Sequence, residues 1–346
     1  MFRIIFLFII SFCYSLMGEE TPEEMVEIPG GIFTMGSEDP YAHGSEKPLH
    51  PVSVNGFWMD VSEVTNTQFE QFVTATGYIT VAEKKPEWEE IKKQVPPGTP
   101  KPSDDKLVAA SMVFTPPEHP VPLDNASAWW TWMAGADWRH PEGPNSDLQG
   151  RAHHPVVHVA YEDALAYCEW AGKRLPTEAE WEFAARGGLE GKPYTWGNEK
   201  FSNEAPQANI WQGDFPHKNL KLDGHTRTAP VGSYAPNGYG LYDMAGNVWE
   251  WCSDWYQIDL YRSRMNGGIV ADPKGPDKPF DPFEPYALKR VNRGGSFLCH
   301  DSYCASYRPS ARRGTSYDTG MSHLGFRCAK TKEMPSTNAQ ANMENP

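Results

Sequence analysis

Alternation of apolar and polar positions begins at Met25. The run MVEIPGGIFTMGS predicts a β-hairpin with Gly30 and Gly31 at its bend. HPVSVNGFWMDVSEVTN, starting at His50, predicts an alternating strand that leads into a helix start. Residues 84–124 interrupt the pattern; rich in Pro and Lys, they predict a long surface excursion. Periodicity returns in HHPVVHVAYEDALAYCEWAGKRLPTEAEWEFAARGG. His158 and the valines around it predict a strand, and Glu162–Ala171 a helix that ends at Gly172. Thr177 and Glu180 have capping-box spacing and open a second helix through Trp181 to Arg186, closed by Gly187 and Gly188. Regular signals then fade. Gly, Asn, Pro and Trp dominate to Trp255, a Pro-rich loop spans 266–288, and the strand-like run LGFRCAK ends at Lys330. There is no internal repeat and no clean linker, so residues 25–330 read as one α+β domain with modest regular structure. A polar tail follows over 331–346.

The first residues do not belong to that pattern. In MFRIIFLFIISFCYSLMGEE one Arg precedes an apolar run to Met17, which predicts a secretory signal peptide over 1–17 and an acidic linker over 18–24. The run is short for a membrane span. Cys13 raises a lipid or membrane anchor as the alternative, although Phe12 fits a lipid-attachment site poorly. Export to a periplasm, to the exterior or into a secretory lumen follows, with no integral span in the mature chain. In such a compartment a structural disulfide persists.

Composition changes the picture in two ways. With 346 residues, 39% hydrophobic and 22% charged, the chain is a soluble globular protein; 13 Trp, 31 Pro and 30 Gly indicate much irregular backbone. The net charge of −14 argues against a nucleic-acid partner, which requires a basic face, and permits divalent-cation sites built from carboxylates.

HExxH, P-loop, GxGxxG and GxSxG signatures are all absent. His153, His154 and His158 lie on an extended segment and read as surface or core residues. PNGYGLYDMAGNVWEWCSDWY places Asp243, Asn247, Glu250 and Asp254 among glycines. These are either ligands of a structural Ca²⁺ or acids that cap backbone amides. ANIWQGDFPHKNLKLDGHT has the same character, with Asn209 and Asp223 at its ends. Cys299 and Cys304 follow Gly294-Gly295-Ser296, with His300 and Tyr303 between them. A local disulfide ranks first on chemistry alone. Zinc lacks further ligands, and Cu(I) suits two soft thiolates.

Together GGIFTMGS, MDVSEVTN, WRHPEGP, GKRLPTEAEWEFAARGG, ANIWQG, GLYDMAGNVWEW, RVNRGGSFLCHDSYC and LGFRCA resemble the formylglycine-generating enzyme, or sulfatase-modifying factor, family from about Met25 to Lys330. Both cysteines stand in the GGSxxCxxxxC context of the true oxidases of that family. The resemblance implies a single domain related to C-type lectins. It implies oxidation, with O₂ and a thiol reductant, of a cysteine in the Cys-x-Pro-x-Arg motif of sulfatase polypeptides to Cα-formylglycine. Cys299 and Cys304 would hold Cu(I), with the substrate cysteine as a third thiolate and Ser296 and Trp249 beside the pocket.

The resemblance further implies two Ca²⁺ sites. One comprises Asn209, Ile210 (carbonyl), Asp223 and His225 (carbonyl). The other comprises Asp243, Gly246 and Val248 (carbonyls) and Glu250, with Glu63 as a further acid. Relatives can carry an aromatic at the position of His225 and Asn at that of Asp243. Cys168 would pair with Cys328 in a disulfide, leaving Cys252 as a buried thiol. A second disulfide of some relatives is absent, its positions being Ala185 and Pro309 here. Two other readings share this fold. One is a lectin-like binding module without chemistry, which would not need the thiol pair. The other is an iron oxidase of the thiohistidine-synthesis type, which uses histidines of an additional helical domain that does not fit before Met25.

Overall fold

A computed structural model describes residues 24–265 and 267–332; the expected signal peptide over 1–17 and nearly all of the expected linker and tail lie outside these. Met25–Ile28 (β1) and Gly31–Met35 (β2) do not fold back on each other. β1 pairs antiparallel with Phe57–Asp60 (β4), and β2 with His50–Val54 (β3). The four strands form one long two-stranded ribbon, bent where Gly30 passes Asn55 and Gly56. A Cβ on Gly30 would lie 2.6 Å from Val54 O, Asn55 C and Gly56 N, so the glycine permits a close crossing of two chains rather than a hairpin apex. This corrects the expected hairpin. The bend divides the ribbon between two sheets: Ala329–Thr331 (β14) adds to β4 on one side, and Val270–Ala271 (β10) adds to β3 on the other.

The central sheet has the order Arg312–Ser316 (β12), Lys289–Arg293 (β11), Trp249–Trp255 (β9), Leu324–Gly325 (β13). β9 was expected to be irregular. Instead it is buried on both faces, with Trp249 and Trp251 alternating with Glu250 and Cys252. LGFRCAK splits between β13 and β14, in different sheets.

Among the helices, Asn66–Thr76 (α1) starts at a Thr65–Gln68 capping box, where the sequence placed a helix start. Tyr161–Trp170 (α3) and Glu178–Arg186 (α4) match the predicted pair; the short helix Trp88–Ile91 (α2) sits in the first Pro-rich stretch, and Leu260–Arg264 (α5) just precedes the second. Thr177 and Glu180 cap α4 reciprocally: Glu180 N donates to Thr177 Oγ1 (3.2 Å) and Thr177 N to Glu180 Oε2 (2.8 Å).

The excursion over 84–124 is not all surface. Ala110–Phe114 (β5) pairs with Trp130–Ala134 (β6), and Val113 and Phe114 are buried. His158 has φ +62° and is not in a strand. Its ring is a core group, bonded to Ser111 Oγ (2.7 Å) and Pro141 O (2.8 Å). A small hairpin, Gly213–Asp214 (β7) with Lys218–Asn219 (β8), completes the strands. Helix is 17% and strand 21%, so the structure is poor in helix rather than in strand.

Every residue of α4 is buried against β11 and the ribbon, including its charges. Glu178 pairs with Arg312 (2.5 Å) and Arg293 (3.0 Å); Glu182 pairs with Arg186 (2.6 Å) and Arg293. Burial works against ionisation of Glu178, but Arg312 and Arg293 more than offset it and hold the carboxyl down to about 2. A depressed carboxyl contributes stability above its unfolded value and loses it as pH falls toward the folded one. Glu178→Gln therefore destabilises by about 3 kcal/mol at neutral pH. Urea midpoints of the two proteins converge between about pH 4.5 and 2; a gap independent of pH would contradict this.

Candidate functional site

The loop 294–311 leaves β11 and returns in β12. Arg293, held by Glu178 and Glu182, anchors its start. Gly294 and Gly295 have φ of +93° and +75°. A Cβ on Gly295 would sit 2.8 Å from Ser306 O, so the missing side chain lets the two arms of the loop touch. Turns then bring the cysteines round: Cys299 N donates to Ser296 O (2.9 Å) and Cys304 N to His300 O (2.8 Å). The two Sγ atoms lie 3.1 Å apart and are unbonded, with Cys299 1% and Cys304 6% exposed.

The two thiols differ in character. The hydrogen-bonded contact with Cys299, with Arg313 and Ser306, brings the Cys304 thiol down to about 5 against the opposing effect of burial. Burial, then the hydrogen bond and charge of Cys304, push the Cys299 thiol up. Ser296 is fully buried, and its N–H points at Cys299 Sγ (3.4 Å). Trp249 presents its ring to Arg313 at 5.6 Å, and Tyr303 at 6.0 Å. Tyr303 also stacks on Phe215 (5.0 Å), whereas His300 turns to Ser302 Oγ (2.8 Å) on the exposed side. Arg313 was missed by sequence reasoning. It follows Arg312 on β12, and alternation along the strand turns it to the opposite face.

The expected cation residues fall in two neighbouring loops. Asp223 bonds its own turn through His225 N (2.9 Å), and its Oδ2 is buried without a partner. Asn209 donates from its side chain to Arg227 O (2.8 Å) and Asn247 Oδ1 (3.1 Å). In the second loop Glu63 is fully buried, and Asn247 Nδ2 reaches its Oε1 (3.1 Å), while Oε2 has no partner. Burial, and then the charge of Asp243, push the Glu63 carboxyl well up. Asp243 accepts from Gly232 N (2.7 Å).

Glu250 is heavily used. Its Oε2 takes Trp181 Nε1 (2.7 Å) and Arg327 Nε (2.7 Å), and its Oε1 takes Arg327 Nη2 (2.8 Å). Of about four lone pairs on a carboxylate, one is left. Asp254 caps α4 by accepting from Glu178 N (2.8 Å), in agreement with the capping reading for that residue. Among the described residues no three or more His, Cys, Asp or Glu side chains gather as a metal cluster.

These loops are stitched to the cysteine loop. Trp211 N donates to Cys299 O (3.0 Å), Gly246 N to Gly294 O (2.8 Å) and Phe297 N to Asn247 O (2.9 Å). Ile210, Val248 and Gly246 lie along these seams; a Cβ on Gly246 would be 2.3 Å from Asn209 O. Elsewhere Cys168 and Cys328 face each other at 3.3 Å, unbonded, and Cys252 is a fully buried thiol in the core between α4 and β9.

Fold and site define a class: a helix-poor α+β domain, related to the C-type lectin fold, that carries a buried thiol pair on a loop-built face. The chain belongs to the family of the sulfatase-modifying factor enzyme 1-like domain, whose model matches residues 15–332. It is 47% identical over 313 residues to the formylglycine-generating enzyme of Thermomonospora curvata, covering 90% of this chain and 94% of that protein. It is 36% identical over 322 residues to inactive C-alpha-formylglycine-generating enzyme 2 of Bos taurus, covering 92% of each. Among solved structures, PvdO from Pseudomonas aeruginosa shares the fold, with a TM-score of 0.56 at 24% identity, over 89% of this chain and 94% of that one.

Proposed function

We propose that this protein is a copper-dependent oxidase that converts the cysteine of a Cys-x-Pro-x-Arg motif in sulfatase polypeptides to Cα-formylglycine, using O₂ and a thiol reductant. The observation that carries the reading is the 3.1 Å thiol pair. Two buried sulfurs suit a soft, low-coordinate Cu(I) and leave a place for a third thiolate. When bound, Cu(I) supplies the electron transfer to O₂ that thiols alone lack.

The rest falls to the chain. The contact with Cys299 holds the Cys304 thiol below its usual range, Ser296 N–H supports Cys299, and burial of both sulfurs keeps water away. A lectin-like binding module without chemistry is the second reading; the family includes a relative named as inactive. A peptide containing Cys-Thr-Pro-Ser-Arg, incubated with the Cu(I)-loaded protein, O₂ and reductant, is expected to lose the mass that separates CH₂SH from CHO. An unchanged peptide with copper bound favours the binding module.

Structural Ca²⁺ is proposed at the two loops, through Asn209, Ile210, Asp223 and His225, and through Asp243, Gly246, Val248, Glu250 and Glu63. The unpartnered buried oxygens of Glu63 and Asp223 fit an absent hard cation. A cation present at a hundredfold its Kd contributes about 2.7 kcal/mol, so chelation is expected to lower Tm by about 5–10 °C. An unchanged melting curve after proven metal removal would sink this assignment.

A disulfide between Cys168 and Cys328 is proposed for the exported protein. A peptide map without reductant should contain the joined pair, and its absence from protein taken from an oxidising compartment would refute it. Export itself is proposed on the residue pattern over 1–17. Among the described residues no helix is long and apolar enough to cross a membrane.

A further inference from the structure

We infer that the hollow beside the second Pro-rich loop docks an extended stretch of the polypeptide substrate, outside the five-residue motif, that carries apolar and acidic side chains. This rests on the oxidase reading above. The hollow has a volume of about 640 Å³ and lies between Ser45, Tyr256, Arg262, Phe283, Arg312 and Arg313. One wall is a loop that holds an aromatic ring in water. Asp281-Pro282-Phe283-Glu284 and Glu284-Pro285-Tyr286-Ala287 are consecutive turns with proline second in each. Glu284 N closes the first on Asp281 O (3.2 Å), and Ala287 N the second on Glu284 O (3.1 Å). Phe283 N also donates to Asp281 Oδ1 (3.0 Å). The acids that open the two turns both reach the buried ammonium of Lys289, Asp281 at 2.5 Å. Phe280 fastens the loop to the end of β9, donating to Tyr256 O (2.9 Å) and accepting from Ile258 N (3.0 Å). So held, the loop leaves Phe283 84% exposed, with Phe280 and Tyr286 exposed on either side.

A ring held rigidly outside the core adds little to folding, and a partner that covers it meets a surface already ordered. The opposite wall says what the partner is. β12 is an edge strand of the central sheet. Tyr317 N donates to Leu288 O, so the ladder to β11 uses Thr315 and Arg313, and Gly314 between them turns its N–H and C=O outward. Among the described residues nothing takes up those two groups. An extended chain laid along the edge can do so. Charge selects the side chains of that segment. Arg262, Arg312, Arg313 and His43 line the hollow against one acid, Asp259. Arg312 is spent on Glu178, but Arg262 is exposed and, among the described residues, has no ion pair. A carboxylate is therefore favoured there, beside an apolar group on Phe283. Arg313 joins the hollow to the thiol loop: it also lies over the rings of Trp249 (5.6 Å) and Tyr303 (6.0 Å), and Tyr303 adjoins Cys304. A polypeptide whose cysteine enters that loop has its neighbouring residues within reach of this wall. Contacts made there bind ground state and transition state alike, and so lower KM without changing kcat.

The test compares two substrates of the Cu(I)-loaded protein: the short peptide Cys-Thr-Pro-Ser-Arg, and a reduced, unfolded sulfatase polypeptide with one such motif. Phe283→Ala is expected to raise KM for the polypeptide about ten- to thirtyfold at unchanged kcat. Arg262→Glu should raise it in the same direction, and Phe283→Leu should stay within about threefold of wild type. Both constants for the short peptide should match wild type in all three. The altered side chains are exposed, and melting curves verify that each variant folds. A polypeptide KM unchanged by Phe283→Ala overturns the inference and leaves the oxidase reading standing. An equal loss on both substrates also overturns it, since the ring would then touch the motif itself. So does a wild-type dimer in sedimentation that Phe283→Ala dissociates, which would make this face a contact between copies. A wild type that converts neither substrate with copper bound removes the oxidase reading and this inference together.

Discussion

Cys299→Ser and Cys304→Ser each lose more than a hundredfold in turnover of a cysteine peptide, while both proteins melt within a few degrees of wild type. Loss of an outer partner of a metal ligand typically costs about ten- to a hundredfold, and a ligand contributes more than its support. A serine hydroxyl is a hard donor that stays protonated at neutral pH, so it replaces the volume of the thiol but not its chemistry. Stability should change little because the loop is held by other bonds: Cys299 N to Ser296 O, Cys304 N to His300 O and Trp211 N to Cys299 O all use backbone atoms. Steady-state rates by mass spectrometry, with melting curves alongside, check both halves. Normal turnover in either variant would end the thiol-pair mechanism. Equal loss of turnover and of melting temperature would make the pair structural.

Arg327→Met lowers stability by about 3–5 kcal/mol, the cost of removing one partner of a buried ion pair. Arg327 and Glu250 are both fully buried and joined by two bonds, and Arg327 also donates to Tyr242 O (2.9 Å). Its charge is shared with Glu63 and Asp243. Without it three carboxyl groups face one another in the interior. Urea unfolding of the variant measures the loss. Adding Glu250→Gln to Arg327→Met should recover part of it, because the uncompensated charge is gone. A cost below about 1 kcal/mol for the single variant would show that Glu250 is neutralised by another route.

These two predictions also show what the sequence could disclose. Helix α4 was readable because its determinants are local: Thr177 and Glu180 cap one end, and Gly187 at φ +54° closes the other. β9, β11 and β12 were not readable. A strand buried on both faces is expected to be continuously apolar, yet β9 and β11 carry Glu250 and Arg293 at buried positions, and β12 is half-buried except at Arg312. Their partners, Arg327, Glu182 and Glu178, are distant in sequence, so the neutralising charge is invisible from any local window. Gly30 and Gly31 misled for a related reason. Glycine marks close approach, and whether that approach is a turn or a crossing depends on Asn55 and Gly56 from another segment.

At the site, Cys299, Cys304 and Ser296 were legible from one motif, and they do gather. Arg313 was not, because its role depends on which face of β12 it occupies. The acids around Asn247 could be read as cation ligands or as caps. Their surroundings differ from one to the next: Asp254 caps a helix, Glu250 neutralises an arginine and keeps about one lone pair for a cation, and Glu63 retains an unpartnered oxygen.

The N-terminal ribbon has a consequence for how the protein is made. β4 lies between β1 and β14, with Trp58 opposite both Glu27 and Lys330. The sheet that the first strands begin is therefore completed by a segment synthesised last. Cys168 likewise awaits Cys328 from the same late segment. Pairings this distant in sequence close slowly, after most of the chain has already been committed. A nascent chain lacking that segment has an open sheet edge, which invites chaperone binding and delays compaction.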